Sequence, residues 1–308
     1  RRAAQDGRRA GTEDGRRAVP ADVRWAAWAA RSVSPLAVSS CARIIPRGMN
    51  VFRSDPPLVV ARRGSTRDAV ENTLEAFDQA EADGADALHL DVRLTADGEV
   101  VVSADAEVVL GNRRLPISSL YLSDLLGVTL TKGEKSGAVP LLRDVLTRYG
   151  HDGQFLVELK PGPAPRPGLL EFRVAALLTQ FNALDRSVVA SSAPEPLRRI
   201  REAQPALETA FCYDGTVYRP EGRLWPNLPS GCRGIAPAVA LASERLFAEA
   251  KAEEIAVHVA TVNDPAEAVR FARLGAASVV TDDVRAIVTA LRAAGLGRPN
   301  ALAPASAE

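Results

Sequence analysis

The chain has 308 residues, 46% hydrophobic and 25% charged, with a formal net charge of +0; that is a globular composition with room for one large domain or two small ones. The charge is uneven, because residues 1–48 hold ten Arg against four acidic residues, which leaves 28 basic and 34 acidic groups in the rest of the chain. A mildly acidic body lacks the basic face that nucleic-acid binding requires, and no run approaches the roughly 18 apolar residues of a membrane span.

Residues 1–48 contain three imperfect Arg-Arg-Ala units, at Arg1, Arg8 and Arg16, in a Gly-, Asp- and Arg-rich setting. Such a segment buries too little apolar surface to offset its ordering entropy, so it reads as disordered or as a non-native N-terminal extension, with Met49 as the natural start. The competing reading is a targeting segment, since residues 25–40 are fairly apolar and run into Val-Ser-Ser-Cys at Cys41. Arg31 and Pro35 interrupt that core, which makes a poor signal region. Three cysteines, Cys41, Cys212 and Cys232, are an odd number without metal-like spacing. They point to a reducing, cytoplasmic setting and to no disulfide framework.

From residue 58 onward, short β-branched runs alternate with helical patterns. Strands are predicted at 58–61, 87–92, 155–159, 187–191, 208–212, 234–236, 256–262 and 278–281. Leu, Ala and Val recur at helical spacing over 72–83, 169–181, 243–254, 265–274 and 284–294. Near-continuous apolar strands separated by helices predict a parallel sheet covered on both faces. Eight such units fit an α/β fold of the TIM (β/α)8 barrel type. A doubly wound open sheet is the alternative, but no Gly-x-Gly-x-x-Gly follows the first strand. Asp97-Gly98 between two β-rich runs predicts a short hairpin after the second strand, whose return arm brings Ala104 beside Asp91. Residues 111–150 are expected to form a loop and a helix over 141–149. The barrel domain is placed at 49–298, with a flexible tail at 299–308.

Side chains two apart on a strand share a face, so His89 pairs with Asp91 and Glu158 with Lys160, both near strand C-terminal ends where barrel enzymes carry their sites. His151 and His258 read as loop and strand histidines, Arg113-Arg114 as a solvated rim pair, and Glu71 as a carboxylate favoured by a helix N-terminus.

Five motifs in order extend the reading. They are Ala-Arg-Arg-Gly (61–64), Glu-Asn-Thr (71–73), His-Leu-Asp (89–91) with its Asp97-Gly98 turn and Ala104-Asp105, Val-Glu-Leu-Lys (157–160), and Thr-Val-Asn-Asp (261–264) with a terminal Val-Thr-Asp (280–282). Together they resemble the glycerophosphodiester phosphodiesterase family over nearly all of residues 58–290. The resemblance implies a phosphodiesterase-type barrel, a role in lipid metabolism, and hydrolysis of a glycerophosphodiester to an alcohol and glycerol phosphate. It makes Asp91 and Glu158 metal ligands for Mg²⁺ or Ca²⁺, and Arg63 and Lys160 the phosphate contacts.

The family pattern departs at three positions. Arg62 and Ala104 stand where it has the two acid–base histidines, and His89 stands where it has a Glu ligand. Guanidinium stays charged near neutral pH and Ala carries no proton, so the resemblance implies a degraded site, a pseudoenzyme for the family reaction. With His89 as third ligand the set suits Mn²⁺, Zn²⁺ or Fe²⁺ better than Mg²⁺ or Ca²⁺. Ala260 also replaces the Trp usual before Thr-Val-Asn. Three readings stay open. One is a small phosphate-bearing ligand held by three cations, Arg62, Arg63 and Lys160, against Asp91 and Glu158. Another is a divergent hydrolase in which His89 is catalytic. The last is a non-catalytic interaction module with an unidentified protein partner. Arg62 is also able to pair with Asp91 or Glu158 and so fill the cation position without any metal.

Overall fold

The computed structural model describes Phe52, residues 55–160, Gly162 and residues 167–298. The expectations for residues 1–48, for Met49 as the start, for Cys41 and for the 299–308 tail lie outside the described residues.

Eight parallel strands close on themselves. They are β1 (Leu58–Arg62), β2 (Ala87–Leu94), β8 (Phe155–Leu159), β9 (Ser187–Ser191), β10 (Glu208–Tyr213), β11 (Gly234–Pro237), β12 (Ala256–Ala260) and β13 (Ser278–Thr281), with β1 bonded to both β13 and β2. The predicted barrel and its eight strands are therefore found, although the run expected over 256–262 leaves the sheet at Ala260. Helices α1 (Leu74–Ala82), α3 (Leu142–Tyr149), α4 (Leu169–Gln180), α5 (Pro194–Ala203), α6 (Glu244–Ala252), α7 (Pro265–Arg273) and α8 (Val284–Ala293) follow or precede the strands. Their starts follow from local chemistry. Thr73 caps α1 by accepting from Ala76 N–H, Ser243 caps α6, and Asp264 caps α7 with Pro265 in its first turn.

Period-two alternation sorts each strand onto two cores. Leu88, Leu90, Val157 and Val259 face the helices in the larger cluster. Leu58, Val60, Ala87, Leu156, Val188, Ala190, Ala210 and Val280 fill the barrel interior around Phe52. Continuing the inward alternation toward the C-terminal rim reaches Arg62 on β1, His89 and Asp91 on β2, and Glu158 and then Lys160 on and just past β8. The apolar stack thus ends in a charged layer. His258 lies lower, buried in β12, edge-on to Phe52 at 5.8 Å and bonded through Nδ1 to Ser278 Oγ at 3.0 Å.

The hairpin after β2 is as expected. β3 (Val100–Val102) runs antiparallel with Val92 opposite Val102, and Gly98 turns the chain at φ 85°. Ser103 N–H then donates to the Asp91 carbonyl at 2.8 Å, which brings Ala104 to the rim.

Residues 105–140 correct the sequence expectation. Instead of a plain loop they form two hairpins, β4 (Glu107–Leu110) with β5 (Arg113–Pro116) and β6 (Thr129–Lys132) with β7 (Lys135–Ala138), joined through the short helix α2 (Leu122–Leu125). Their strands are largely exposed and short, so they lack a clean alternating pattern. They are held by a small core of Val108, Ile117, Leu120, Leu125 and Val128 against Val101 and Leu141. Arg113 and Arg114 belong to β5 rather than to a loop, and both are solvent-exposed as expected. Among the described residues no helix is long and apolar enough to cross a membrane.

Candidate active site

The barrel mouth opens into a cavity of about 540 Å³ lined by Arg62, Arg63, His89, Glu158, Lys160 and Asp214 on its polar side. Ala190, Cys212, Ala236, Ala238 and Ala260 form much of the remaining wall. Strand register makes this grouping: Arg62 lies opposite His89 across β1 and β2, and Asp91 lies opposite Glu158 across β2 and β8.

Arg63 and Asn72 both adopt left-handed backbone, at φ 60° and 57°, a conformation that non-glycine residues rarely hold unless surroundings enforce it. Here the surroundings do so. Asn72 N–H donates to the Arg63 carbonyl, and Asn72 Nδ2 donates to Asp91 Oδ2 at 3.0 Å, while Asp91 N–H donates back to Asn72 Oδ1. Gly64 is needed in the same turn, because a Cβ there would lie 2.6 Å from Ala76 backbone and φ is 86°.

Asp91 is fully buried and carries two cations. Arg63 Nε approaches Oδ2 at 2.7 Å and Lys160 Nζ approaches Oδ1 at 2.9 Å. Burial disfavours the Asp91 anion, yet the neighbouring His89, Lys160, Arg63 and the Asn72 amide overcome it and hold the carboxyl well below its ordinary range. Glu158 shares Lys160 at 2.5 Å and meets His89 Nε2 at 3.1 Å. Burial again works against its charge, and His89 and Lys160 again win, so it too is lowered. Burial pulls Lys160 down, but Asp91 and Glu158 outweigh it and keep the ammonium charged.

The ion pair foreseen for Arg62 with Asp91 or Glu158 does not form. Arg62 instead meets Asp282 Oδ1 at 3.2 Å. The cation on both carboxylates is Lys160, which follows β8 directly, whereas Arg62 ends β1 in register with His89. Glu71 is also corrected. It precedes the Thr73 cap and pairs with Arg63 at 2.9 Å rather than serving the α1 terminus. The three cations therefore pair with four carboxylates, two of them, Glu71 and Asp282, over a third exposed and so well screened. Ala104 offers no side-chain proton, and its carbonyl accepts from Arg93 Nη2 at 2.6 Å.

His89, Asp91 and Glu158 present one nitrogen and two carboxylate donors within 4.8 Å of one another. His89 Nδ1 is buried with no hydrogen-bond partner among the described residues. In donor type and spacing the set fits a divalent cation that accepts imidazole, and it is poor in oxygen for Mg²⁺ or Ca²⁺. The ammonium of Lys160 already compensates one oxygen of each carboxylate.

Residues 63–286 match the model of the glycerophosphoryl diester phosphodiesterase family. The chain belongs to that family. A Bacillus subtilis relative, YhdW, whose name assigns it to the glycerophosphodiester phosphodiesterases, is 31% identical over 241 residues, covering 73% of this chain and 93% of its own. Among solved structures of the family's name, one from Silicibacter pomeroyi DSS-3 shares the fold at TM-score 0.72 and 24% identity, over 80% of this chain and 98% of that one. A phosphodiesterase of Oleispira antarctica, solved in complex with the product sn-glycerol-3-phosphate, aligns at TM-score 0.61 and 21% identity, over 77% of this chain and 97% of that one.

Two contributors escaped sequence reasoning although their letters stood in the family motifs. Asn72 was a motif position without a role, and it clamps Asp91. Asp282 was a terminal motif residue, and it holds Arg62 while Asn263 anchors it through its side chain at 3.1 Å and its N–H at 2.9 Å. Their signal was the motif itself; their partners lie 19 and 220 residues away in sequence.

Proposed function

We propose that this chain is a family member that binds a phosphate-bearing ligand at the barrel mouth and has lost the family's phosphodiester hydrolysis. The observation that carries the reading is the contrast inside one site. Arg63 and Lys160 stand beside the cavity as the phosphate contacts of the family pattern, while Arg62 and Ala104 put no group able to exchange a proton near neutral pH where its acid and base belong. General acid–base catalysis contributes on the order of 10²–10⁴-fold, and both partners are gone. The ligand class is supported by the glycerol phosphate held in the Oleispira antarctica relative.

In this reading Arg63 and Lys160 orient the phosphate, and Asp91 and Glu158 keep both cations charged and fixed. His89, Asp91 and Glu158 would hold any divalent cation, Mn²⁺ or Zn²⁺ in preference to Mg²⁺ or Ca²⁺, and that ion would add positive charge opposite the phosphate. The small alanine wall leaves room for the ligand's alcohol portion. This reading includes a cytoplasmic setting, in keeping with the odd number of cysteines, and residues 49–298 as the functional unit.

The test incubates the chain with a glycerophosphodiester and each of the four cations, measuring released glycerol phosphate, alongside calorimetry with glycerol phosphate. No release, together with measurable binding, is expected. Turnover that disappears in Asp91→Ala overturns the reading.

The Nδ1 of His89, without a hydrogen-bond partner among the described residues, favours a second reading, a divergent metal-dependent hydrolase in which His89 moves the proton. Turnover with Mn²⁺ or Zn²⁺ that survives His89→Ala counts against it. An interaction module that ignores the cavity predicts no phosphate binding at all.

A further inference from the structure

We infer that Arg62 makes this site selective for phosphomonoester dianions over phosphodiesters, with Asp282 and Asn263 as the residues that position it. The inference rests on the phosphate-binding reading above and goes beyond it by naming which esterification state is held.

Lys160 lies between Asp91 and Glu158 and donates to Glu158, and Arg63 sets its Nε against Asp91 while one Nη donates to Glu71. Arg62 spends one Nη on Asp282, at a long 3.2 Å, and no other partner of its guanidinium occurs among the described residues. Its side chain is 30% exposed and lines the cavity. Of the three cations at the mouth it is the most exposed, at 30% against 18% for Arg63 and 20% for Lys160, and among the described residues it pairs with one carboxylate where each of the others meets two. Its single partner is fixed from behind, since Asn263 donates to Asp282 Oδ2 and accepts from Asp282 N–H. Asp282 is thus an anchored acceptor that holds one corner of the guanidinium and leaves the rest of the fork open.

The ligand chemistry then decides. A phosphodiester has two terminal oxygens and one negative charge, whereas a monoester has three terminal oxygens and nearly two charges above its second pKa of about 6. An imidazole at position 62 would offer one donor and a charge that depends on pH. A guanidinium offers a permanent charge and a planar fork matched to two phosphate oxygens. The second ester group of a diester removes one of the oxygens that this third cation would grip, and one of the charges it would neutralise. A fixed cation at this position therefore rewards the monoester.

Calorimetry on the full chain at about pH 8, where the monoester is dianionic, compares sn-glycerol 3-phosphate with glycerophosphoglycerol, two ligands whose only charges lie on phosphate. The monoester is expected to bind at least about tenfold more tightly, as an added charge-assisted contact implies. In Arg62→Gln that ratio should collapse toward unity, and in Arg62→Lys it should recover only in part, because the charge returns without the fork. Asp282→Asn should lower the ratio less than Arg62→Gln. A folding defect would weaken both ligands together and leave the ratio alone, so the ratio reads the role of Arg62 itself. Equal affinities in the wild type, or a ratio indifferent to Arg62→Gln, overturn this inference and leave phosphate binding standing. Absence of binding by either ligand overturns both.

Discussion

Replacing Lys160 by Met keeps the stem and removes the ammonium that bridges Asp91 at 2.9 Å and Glu158 at 2.5 Å. Breaking a fully buried ion pair costs about 3–5 kcal/mol, because the remaining charge is stranded. Here the loss is smaller. Arg63 and Asn72 stay on Asp91, His89 stays on Glu158, and the Lys160 side chain is 20% exposed. About 2–3 kcal/mol is the reasoned cost, which for a barrel of this size lowers Tm by about 5–10 °C. The pH dependence has a definite sign. Asp91 and Glu158 are held below their ordinary pKa values, so their contribution is present above those ordinary values and is lost as pH falls through the lowered ones. The wild-type advantage over Lys160→Met should be full near neutral pH and should shrink in acid as the variant's carboxylates take up protons. Scanning calorimetry or thermal-shift assays on both proteins across pH read this directly. A Tm change under about 1 °C at neutral pH, or the same change in acid, refutes the electrostatic account of Lys160.

Other perturbations separate catalysis, backbone and buried charge. Arg62→His with Ala104→His returns two proton carriers, and with Mn²⁺ it should raise glycerophosphodiester hydrolysis by about 10²-fold or more over wild type; no rise in released glycerol phosphate refutes the assignment of the lost step to these positions. Asn72→Ala deprives Asp91 Oδ2 of its amide donor at 3.0 Å, which should cost about 1–3 kcal/mol in denaturant unfolding. Gly64→Ala forces a Cβ against Ala76 at 2.6 Å in left-handed backbone, and a loss of soluble, folded protein or of at least about 2 kcal/mol is expected. Asp86 is buried at the opposite end of β2, and burial, partly offset by the Val59 N–H, pushes its carboxyl up from 3.8 to about 6. Its protonated form is favoured in the fold, so its own contribution to stability is greatest below about pH 4 and declines as pH rises through about 6. Asp86→Asn should therefore gain up to about 3 kcal/mol near pH 8, with the gain vanishing in acid; a pH-independent difference would contradict the assignment.

Much of the barrel was legible in the chain because each strand is buried on both faces. Runs such as Val-Val-Ala in β1 and Val-Val-Ala in β9 announce themselves without reference to their neighbours, and caps such as Asp264-Pro265 mark helix starts locally. The Asp97-Gly98 hairpin was legible for the same reason, since a turn is specified by the residues that make it. The two small hairpins over 105–140 were not. Their strands bury few positions, and what holds them is a cluster assembled from residues up to forty apart, including Leu141 at the edge of α3.

The site divides along the same line. Sequence by itself determined which chemical groups the rim would carry, because the inward alternation continues from the apolar layers into Arg62, His89, Asp91, Glu158 and Lys160. It also determined that Arg62 and Ala104 cannot pass a proton at neutral pH, which is a property of side chains and needs no fold. Only the tertiary structure decided which cation meets which carboxylate. Lys160 rather than Arg62 lies across Asp91 and Glu158, and Arg62 turns to Asp282, 220 residues away. Pairing is a matter of ångströms set by strand register and by which strand each stem leaves, and the strengths of these contacts vary steeply over such distances. No local pattern in the chain encodes that, and it is what leaves the guanidinium of Arg62 open to a ligand.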